Sequence, residues 1–210
     1  MFITFEGIDG SGKSTQISLL EPWLAAQGYE VVILREPGGT PLSEAVRGVL
    51  LSSKNEIHPR AELLLFEAAR AQLTGTVIRP ALQRRAVILC DRFADSSTAY
   101  QGYGRGLPVA DIIQSNEVAT AGLQPDITFL LDIPVEVALG RAQARRNGTP
   151  DRMERSGEEF FRRVRQGYRE LAVASPDRFV VLDAARPVGE IHAHVCRVIA
   201  EFFSRAGQSA

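Results

Sequence analysis

The chain has 210 residues, 45% hydrophobic and 23% charged, with a formal net charge of −1. That length fits one compact domain, and that composition excludes wholesale disorder, collagen-like repeats and a small disulfide scaffold. Near-neutral charge provides no global field for nucleic acid or an anionic membrane, so neither partner is expected.

Cys90 and Cys196 lie far apart in apolar surroundings and no CxxC occurs, which argues against a zinc site or a disulfide framework. The opening MFITFEGIDG has no basic stretch and no cleavage site, so no signal peptide is predicted. The apolar runs are strand-sized, far short of the ~20 residues of a membrane span. A cytoplasmic protein is the expectation.

In chain order, β-rich runs at residues 2–6, 31–34, 86–90, 127–131 and 179–182 read as strands. Several are continuous Val/Ile/Leu/Phe segments, as strands covered on both faces require. A first helix begins near Lys13–Thr15 with Ile17, Leu20 and Leu24 on one face, and ends at Gly28 as a C′ glycine. Further helical patterns cover 42–51, 60–73, 109–120, 135–146, 158–172 and 187–205. The alternation predicts an α/β fold, a parallel sheet with helices on both faces. Gly/Pro-rich segments at 37–41, 102–108 and 147–150 read as functional loops at the carboxyl ends of strands.

After the first strand comes Gly7-Ile8-Asp9-Gly10-Ser11-Gly12-Lys13-Ser14-Thr15, which is GxxxxGK[ST] between a strand and a helix. Its glycines let backbone N–H groups converge on a polyphosphate, Lys13 adds a point charge at the β- and γ-phosphates, and the Ser14 hydroxyl can ligate Mg²⁺. This predicts nucleoside triphosphate binding and leaves open what is done with it.

Three other features bear on that question. Asp91-Arg92 ends the third strand, where the pair is either a surface ion pair or an acid for Mg²⁺ or its water beside an arginine that faces the crevice. Arg35-Glu36-Pro37-Gly38-Gly39-Thr40 follows the second strand and alone is only a turn. Phe66 and Arg70 are four apart and share a helix face; the ring is either core or a base platform, and the guanidinium either snorkels or donates to a base carbonyl. Arg141, Arg145, Arg146, Arg152 and Arg155 form a late cluster interrupted at 147–150. It is either a solvated basic face or a lid over a triphosphate, and it lacks the aromatic interleaving of a nucleic-acid patch.

These stretches, FEGIDGSGKST, REPGGTPL, LLFEAARAQL, ILCDRFADSSTAYQG and RAQARRNGTPDRME, resemble the bacterial thymidylate kinases, P-loop nucleoside monophosphate kinases, over nearly the whole chain. The resemblance implies a P-loop NTPase fold with a five-stranded parallel sheet, one domain over 1–210, and a short Arg-rich lid at about 141–155. It implies transfer of the γ-phosphoryl of ATP to dTMP, with Mg²⁺ and a homodimer. It places Phe66 on thymine, Arg70 on a base carbonyl, Glu36 and Pro37 beside the acceptor, Ser97 and Gln101 near the base edge, and Tyr100 under the deoxyribose. Arg92 would hold the acceptor phosphate, and Asp9, Asp91 and Ser14 would serve the metal. Some members carry a catalytic arginine in the phosphate loop; Gly10 stands there in this chain, so the resemblance is to the lid-arginine type, with Arg145 the first choice and Arg146 the second. Adenine is expected near residues 183–187.

A phosphomonoester has a second pKa near ~6, so the acceptor needs no general base at neutral pH. His58, His192 and His194 accordingly lie outside every motif. A deoxynucleoside kinase is the nearest rival; it needs a carboxylate base, a role open to Glu36. A GTPase-like switch is the other, and the chain lacks an NKxD motif.

Overall fold

A computed structural model describes residues 1–52, 54–145 and 150–207; for Arg145 and the last two of these it describes backbone only. Five strands, β1 (Phe2–Glu6), β2 (Val31–Arg35), β3 (Val87–Asp91), β4 (Ile127–Asp132) and β5 (Phe179–Asp183), pair in the order β2-β3-β1-β4-β5. Every pairing is parallel. β1 is buried along its whole length, as are all but the last residues of β3 and β4, whereas the outer strands β2 and β5 are partly exposed. That explains the unbroken apolar runs at the centre.

The helices are α1 (Lys13–Ala25), α2 (Pro41–Leu51), α3 (Pro59–Leu73), α4 (Arg79–Gln83), α5 (Ala94–Ser97), α6 (Val109–Thr120), α7 (Val135–Arg145), α8 (Glu158–Ala174) and α9 (Val188–Gly207). α2 starts on a Thr40 cap that accepts from the Ser43 amide, with Pro41 in its first turn. α1 starts on Gly12 at φ 101 with no side-chain cap, so its first N–H groups are left for a ligand. It ends three residues before Gly28, whose φ of 85 serves the following turn instead.

Two stretches depart from the predicted elements. Wide π-turns at Thr74–Ile78 and Thr98–Gly104 extend helical chain through segments that read as connections. TGTVI and TAYQGYG are poor helix formers, and tertiary burial of Leu73, Ile78, Ala99 and Tyr100 overrides that preference. Part of the loop predicted at 102–108 is thus helical.

β1 connects outward over β3 to β2, and β3 connects back past β1 to β4. The loops after β1 and β3 therefore lie side by side at the switch point, where such sheets bind ligands. The Arg92 amide donates to the Phe5 carbonyl at 3.0 Å and ties the two loop starts together. Among the described residues no helix is long and apolar enough to cross a membrane.

Candidate active site

Three adjoining cavities run along the carboxyl ends of the strands. The outermost is lined by Gly10, Ser11, Gly12 and Thr15 on one side and by Arg141, Ala184 and Arg186 on the other. The middle one holds Lys13, Ser14, Asp91 and Arg35. The innermost is framed by Pro37, Phe66, Ser97, Tyr100, Gln101 and Met153. Asp9, Glu36, Arg47 and Arg92 line both the middle and the inner cavity.

The phosphate loop has the backbone its glycines permit. Gly7, Gly10 and Gly12 have φ of 134, 85 and 101, values at which a side chain is strained. A Cβ on Gly10 would lie 2.0 Å from the Ala138 carbonyl of α7, so this position has no room for an arginine. Lys13 is buried, donating to the carbonyls of Gly7 at 3.0 Å and Ile8 at 3.3 Å and lying 3.9 Å from Asp91. Burial and the nearby Arg92 guanidinium pull its ammonium below the usual lysine range.

Ser14 donates to Asp91 at 2.9 Å. A hydroxyl and a carboxylate beside a phosphate loop are the hard oxygen donors, few in number, that suit Mg²⁺ shared with substrate phosphates. Asp9 is turned toward Arg92, 2.7 Å away. Burial raises its carboxyl, but the Arg92 and Lys13 charges outweigh that and hold it below the usual range.

Arg92 joins the two cavities. It sits at φ 72, a left-handed conformation uncommon for a residue with a side chain. Its guanidinium donates to the Gly7 carbonyl at 3.0 Å and to Asp9, and lies 4.9 Å over the Tyr100 ring. The turn behind it is braced by buried Glu6, which accepts from the Phe93 amide at 2.7 Å, from Ser96 at 2.6 Å and from Tyr168 at 2.8 Å. Burial, with Asp95 nearby, pushes the Glu6 carboxyl up to about 7.

Phe66 and Pro37 stand in the wall of the inner cavity, while Arg70 lies behind it, 1% exposed. The Arg70 guanidinium donates to Glu36 at 2.8 Å, to Glu67 at 2.6 Å, to Ser97 at 2.9 Å, to Asn116 at 2.8 Å and to the Phe93 carbonyl at 3.1 Å. One guanidinium thus faces two buried carboxylates. Burial pushes the Glu36 carboxyl up to about 7, against the pull of Arg70.

The residues expected at the nucleotide are therefore brought together, with Arg70 behind the wall. Arg145 ends α7 and its side chain lies outside the described residues, as does Arg146 altogether. Two other members of the late arginine cluster are tied down. Arg152 donates to the Leu50 carbonyl at 2.8 Å and pairs with Glu62, and Arg141 donates to the Ala184 carbonyl at 2.9 Å.

Arg47, Asp151 and Met153 also line the inner cavity and were not singled out in the sequence. Arg47 donates to the Pro37 carbonyl at 3.0 Å. Its one signal was a charge two turns into the helix that follows REPGGT.

The family model for thymidylate kinase matches residues 5–195. A thymidylate kinase of Deinococcus radiodurans is 51% identical over 201 residues, covering 96% of this chain and 97% of that protein. One from Prosthecochloris aestuarii is 50% identical over 206 residues, covering 95% of this chain and 92% of that protein. The crystal structure of thymidylate kinase from Ehrlichia chaffeensis superposes with a TM-score of 0.77 at 38% identity, covering 95% of this chain and 98% of that one. With a phosphate loop, a second arginine-walled cavity beside it and these matches over nearly its full length, the chain belongs to the thymidylate kinase family and is a nucleoside monophosphate kinase.

Proposed function

We propose that the crevice passes the γ-phosphoryl group of ATP to dTMP, giving dTDP and ADP for dTTP biosynthesis in the cytoplasm. The observation that carries this is the sharing of Arg92, Arg47, Asp9 and Glu36 between the phosphate-loop cavity and the Phe66 cavity. A donor and an acceptor placed there meet at one arginine-rich boundary, and positioning with charge stabilisation is most of what phosphoryl transfer requires.

In this reading residues 7–15 wrap the ATP phosphates, with Lys13 at the β- and γ-positions, and adenine occupies the cavity under Ala184 and Arg186. Phe66 and Pro37 clamp thymine, Ser97 and Gln101 meet its edge, and Tyr100 lies under the deoxyribose. Arg70 frames the base from behind, and the second N–H of its Nη2 is the donor for a base carbonyl. Arg92 and Arg47 hold the acceptor phosphate. Glu36 bounds the acceptor on the phosphate side. Ser14 and Asp91, with Asp9 beside them, would hold Mg²⁺, which would neutralise negative charge on the ATP phosphates. Arg145 and Arg146 are the lid cations that meet charge developing in transfer. The chain acts as one domain over 1–210, with the lid at about 141–155, and pairs with a second copy of itself.

A coupled ADP-release assay across thymidine, dTMP, dUMP, dCMP and AMP tests the reading. Turnover with dTMP and none with thymidine is expected; the reverse overturns it. Arg145→Ala or Arg146→Ala should lower kcat far more than it raises the KM for dTMP. If both variants keep full kcat, the lid assignment is wrong.

A further inference from the structure

We propose that Glu62 is a positioning residue that sets the hydrogen-bonding sense of Gln101, and so makes the inner cavity select a pyrimidine carrying N3–H beside a 4-keto group. The inference rests on the function proposed above, which sets the base edge against Gln101 and Ser97.

Glu62 lies in the first turn of α3 and is completely buried. Its Oε1 accepts from Gln101 Nε2 at 2.8 Å and from Arg105 Nε at 3.2 Å; its Oε2 accepts from Arg105 Nη2 at 3.3 Å and pairs with Arg152. Burial disfavours the charge, yet the bonds from Gln101, Arg105 and Arg152 hold the carboxyl below its usual range. An ionised carboxylate only accepts. Gln101 must therefore turn its NH2 toward Glu62, because the opposite orientation would set two oxygens face to face in a buried site. The Gln101 carbonyl oxygen is thereby left on the other side, and it has no partner among the described residues.

Ser97 stands beside Gln101 and touches Arg70. Arg70 Nη1 donates to Ser97 Oγ at 2.9 Å. The Ser97 hydroxyl keeps its proton to donate to a 4-keto oxygen, but its second lone pair can also accept, so the discrimination rests on Gln101. Gln101 and Ser97 are both buried and both line the inner cavity. Together they offer an acceptor and a donor, the complement of a base edge with N3–H and O4. Thymine and uracil both carry that edge. Cytosine carries the reverse, an unprotonated N3 and a 4-amino group. With Glu62 in place the amide cannot flip to suit it.

The test compares kcat/KM for dTMP, dUMP and dCMP in the wild type, Glu62→Gln, Gln101→Met and Arg105→Ala, each checked by circular dichroism and thermal unfolding. In Glu62→Gln the new amide can donate, so Gln101 is free to flip. The dTMP:dCMP ratio is then expected to fall at least about tenfold, while the dTMP:dUMP ratio stays put, since those two bases share the edge. Gln101→Met should lose dCMP discrimination as well. Arg105→Ala removes a cation from Glu62 without touching Gln101 and should leave the dTMP:dCMP ratio unchanged. If Gln101→Met moves the ratio and Glu62→Gln does not, the positioning role is overturned. If the two dTMP ratios fall alike, or Arg105→Ala moves the dCMP ratio equally, the effect is general loosening and the role is again overturned. If neither Gln101→Met nor Glu62→Gln moves any ratio while dTMP turns over normally, the base is not read here, and the placement of the base fails as well. Should Glu62→Gln not fold, the side-chain amide signals of Gln101 in the wild-type protein decide. One proton protected and the other shifting on dTMP titration supports the proposal; two freely exchanging protons overturn it.

Discussion

Glu36 shows at the scale of one residue what burial does to the chemistry of this site. Its carboxyl is 6% exposed, shares Arg70 with Glu67, and is pushed up to about 7. A folded-state value above the unfolded one near 4.5 means that the protonated form is favoured by folding. The stability this contributes is fully present below about 4.5 and is lost as the pH rises through about 7. Against Glu36→Gln, which does not titrate, the wild type should lose about 2–3 kcal/mol of relative stability between about pH 5 and pH 8. Urea unfolding of both proteins at the two pH values measures it. Tyr100 gives a second residue-scale expectation. Its ring lies under Arg92 and against Phe160, centroids 5.9 Å apart; with the deoxyribose set against the face of that ring as proposed, a 2′-hydroxyl on the acceptor would be buried without a partner. That costs about 1–3 kcal/mol; Tyr100→Ala should therefore narrow the deoxy-over-ribo preference in kcat/KM by about one to two decades. The phosphate loop was legible in the sequence because its pattern is local, with its glycines, Lys13 and Ser14 adjacent in the chain between a strand and a helix. Arg47 and Glu62 were not. Each is an ordinary charged residue on a helix until the fold sets it against Pro37 or Gln101, and no spacing within the chain encodes that.

The element that decides the shape of the inner cavity is the wide turn at Thr98–Gly104, which carries Tyr100 and Gln101. Two glycines, Gly102 and Gly104, made it look like a loop, and Gly104 together with Gly167 of α8 explains how it packs. A Cβ on Gly104 would meet Phe160 at 2.6 Å and Val164 at 2.9 Å, and one on Gly167 would meet Tyr103 at 2.5 Å. The turn and α8 therefore approach closely from both sides, backbone against ring. π-type turns of this kind recur at functional sites because they re-aim side chains that a regular helix would misplace. The strands were readable from apolar runs, whereas this contact depends on two residues about sixty positions apart having no side chain. Gly104→Ala should cost about 1–3 kcal/mol in stability, as overpacking typically does. Because Tyr100 and Gln101 ride on the same turn, the variant should raise the KM for dTMP several-fold and leave that for ATP close to normal. Thermal unfolding and two-substrate kinetics check the two halves. An unchanged KM for dTMP would mean that the turn yields without moving its side chains.

Across the whole molecule, the inner cavity is built from helices whose outer faces carry exposed apolar residues. α3 contributes Phe66, Glu62 and Arg70 inward, yet Ala61, Leu64 and Ala68 line its outer face in a stripe of three- and four-residue steps, with Leu64 63% exposed. α6, which packs on α3, contributes Asn116 to Arg70 and leaves Ile113 53% exposed. Exposed apolar residues on two packed helices are what a partner would cover, and a second copy of the chain is the partner that the proposed homodimer supplies. In that proposed pair a twofold axis across α3 and α6 would let one patch serve both protomers. The pairing would also brace the cavity from outside, because α3 carries Phe66 and Arg70 and α6 carries Asn116, which binds Arg70. Leu64→Glu places a charge in the middle of that face and should halve the solution mass by light scattering, from twice 23.0 kDa to 23.0 kDa. With the brace gone, the KM for dTMP should rise more than that for ATP, since the phosphate loop sits on β1 and α1, away from this face. A variant that stays dimeric places the interface elsewhere on the molecule; one that becomes monomeric with both KM values unchanged shows that α3 and α6 hold the acceptor cavity without help.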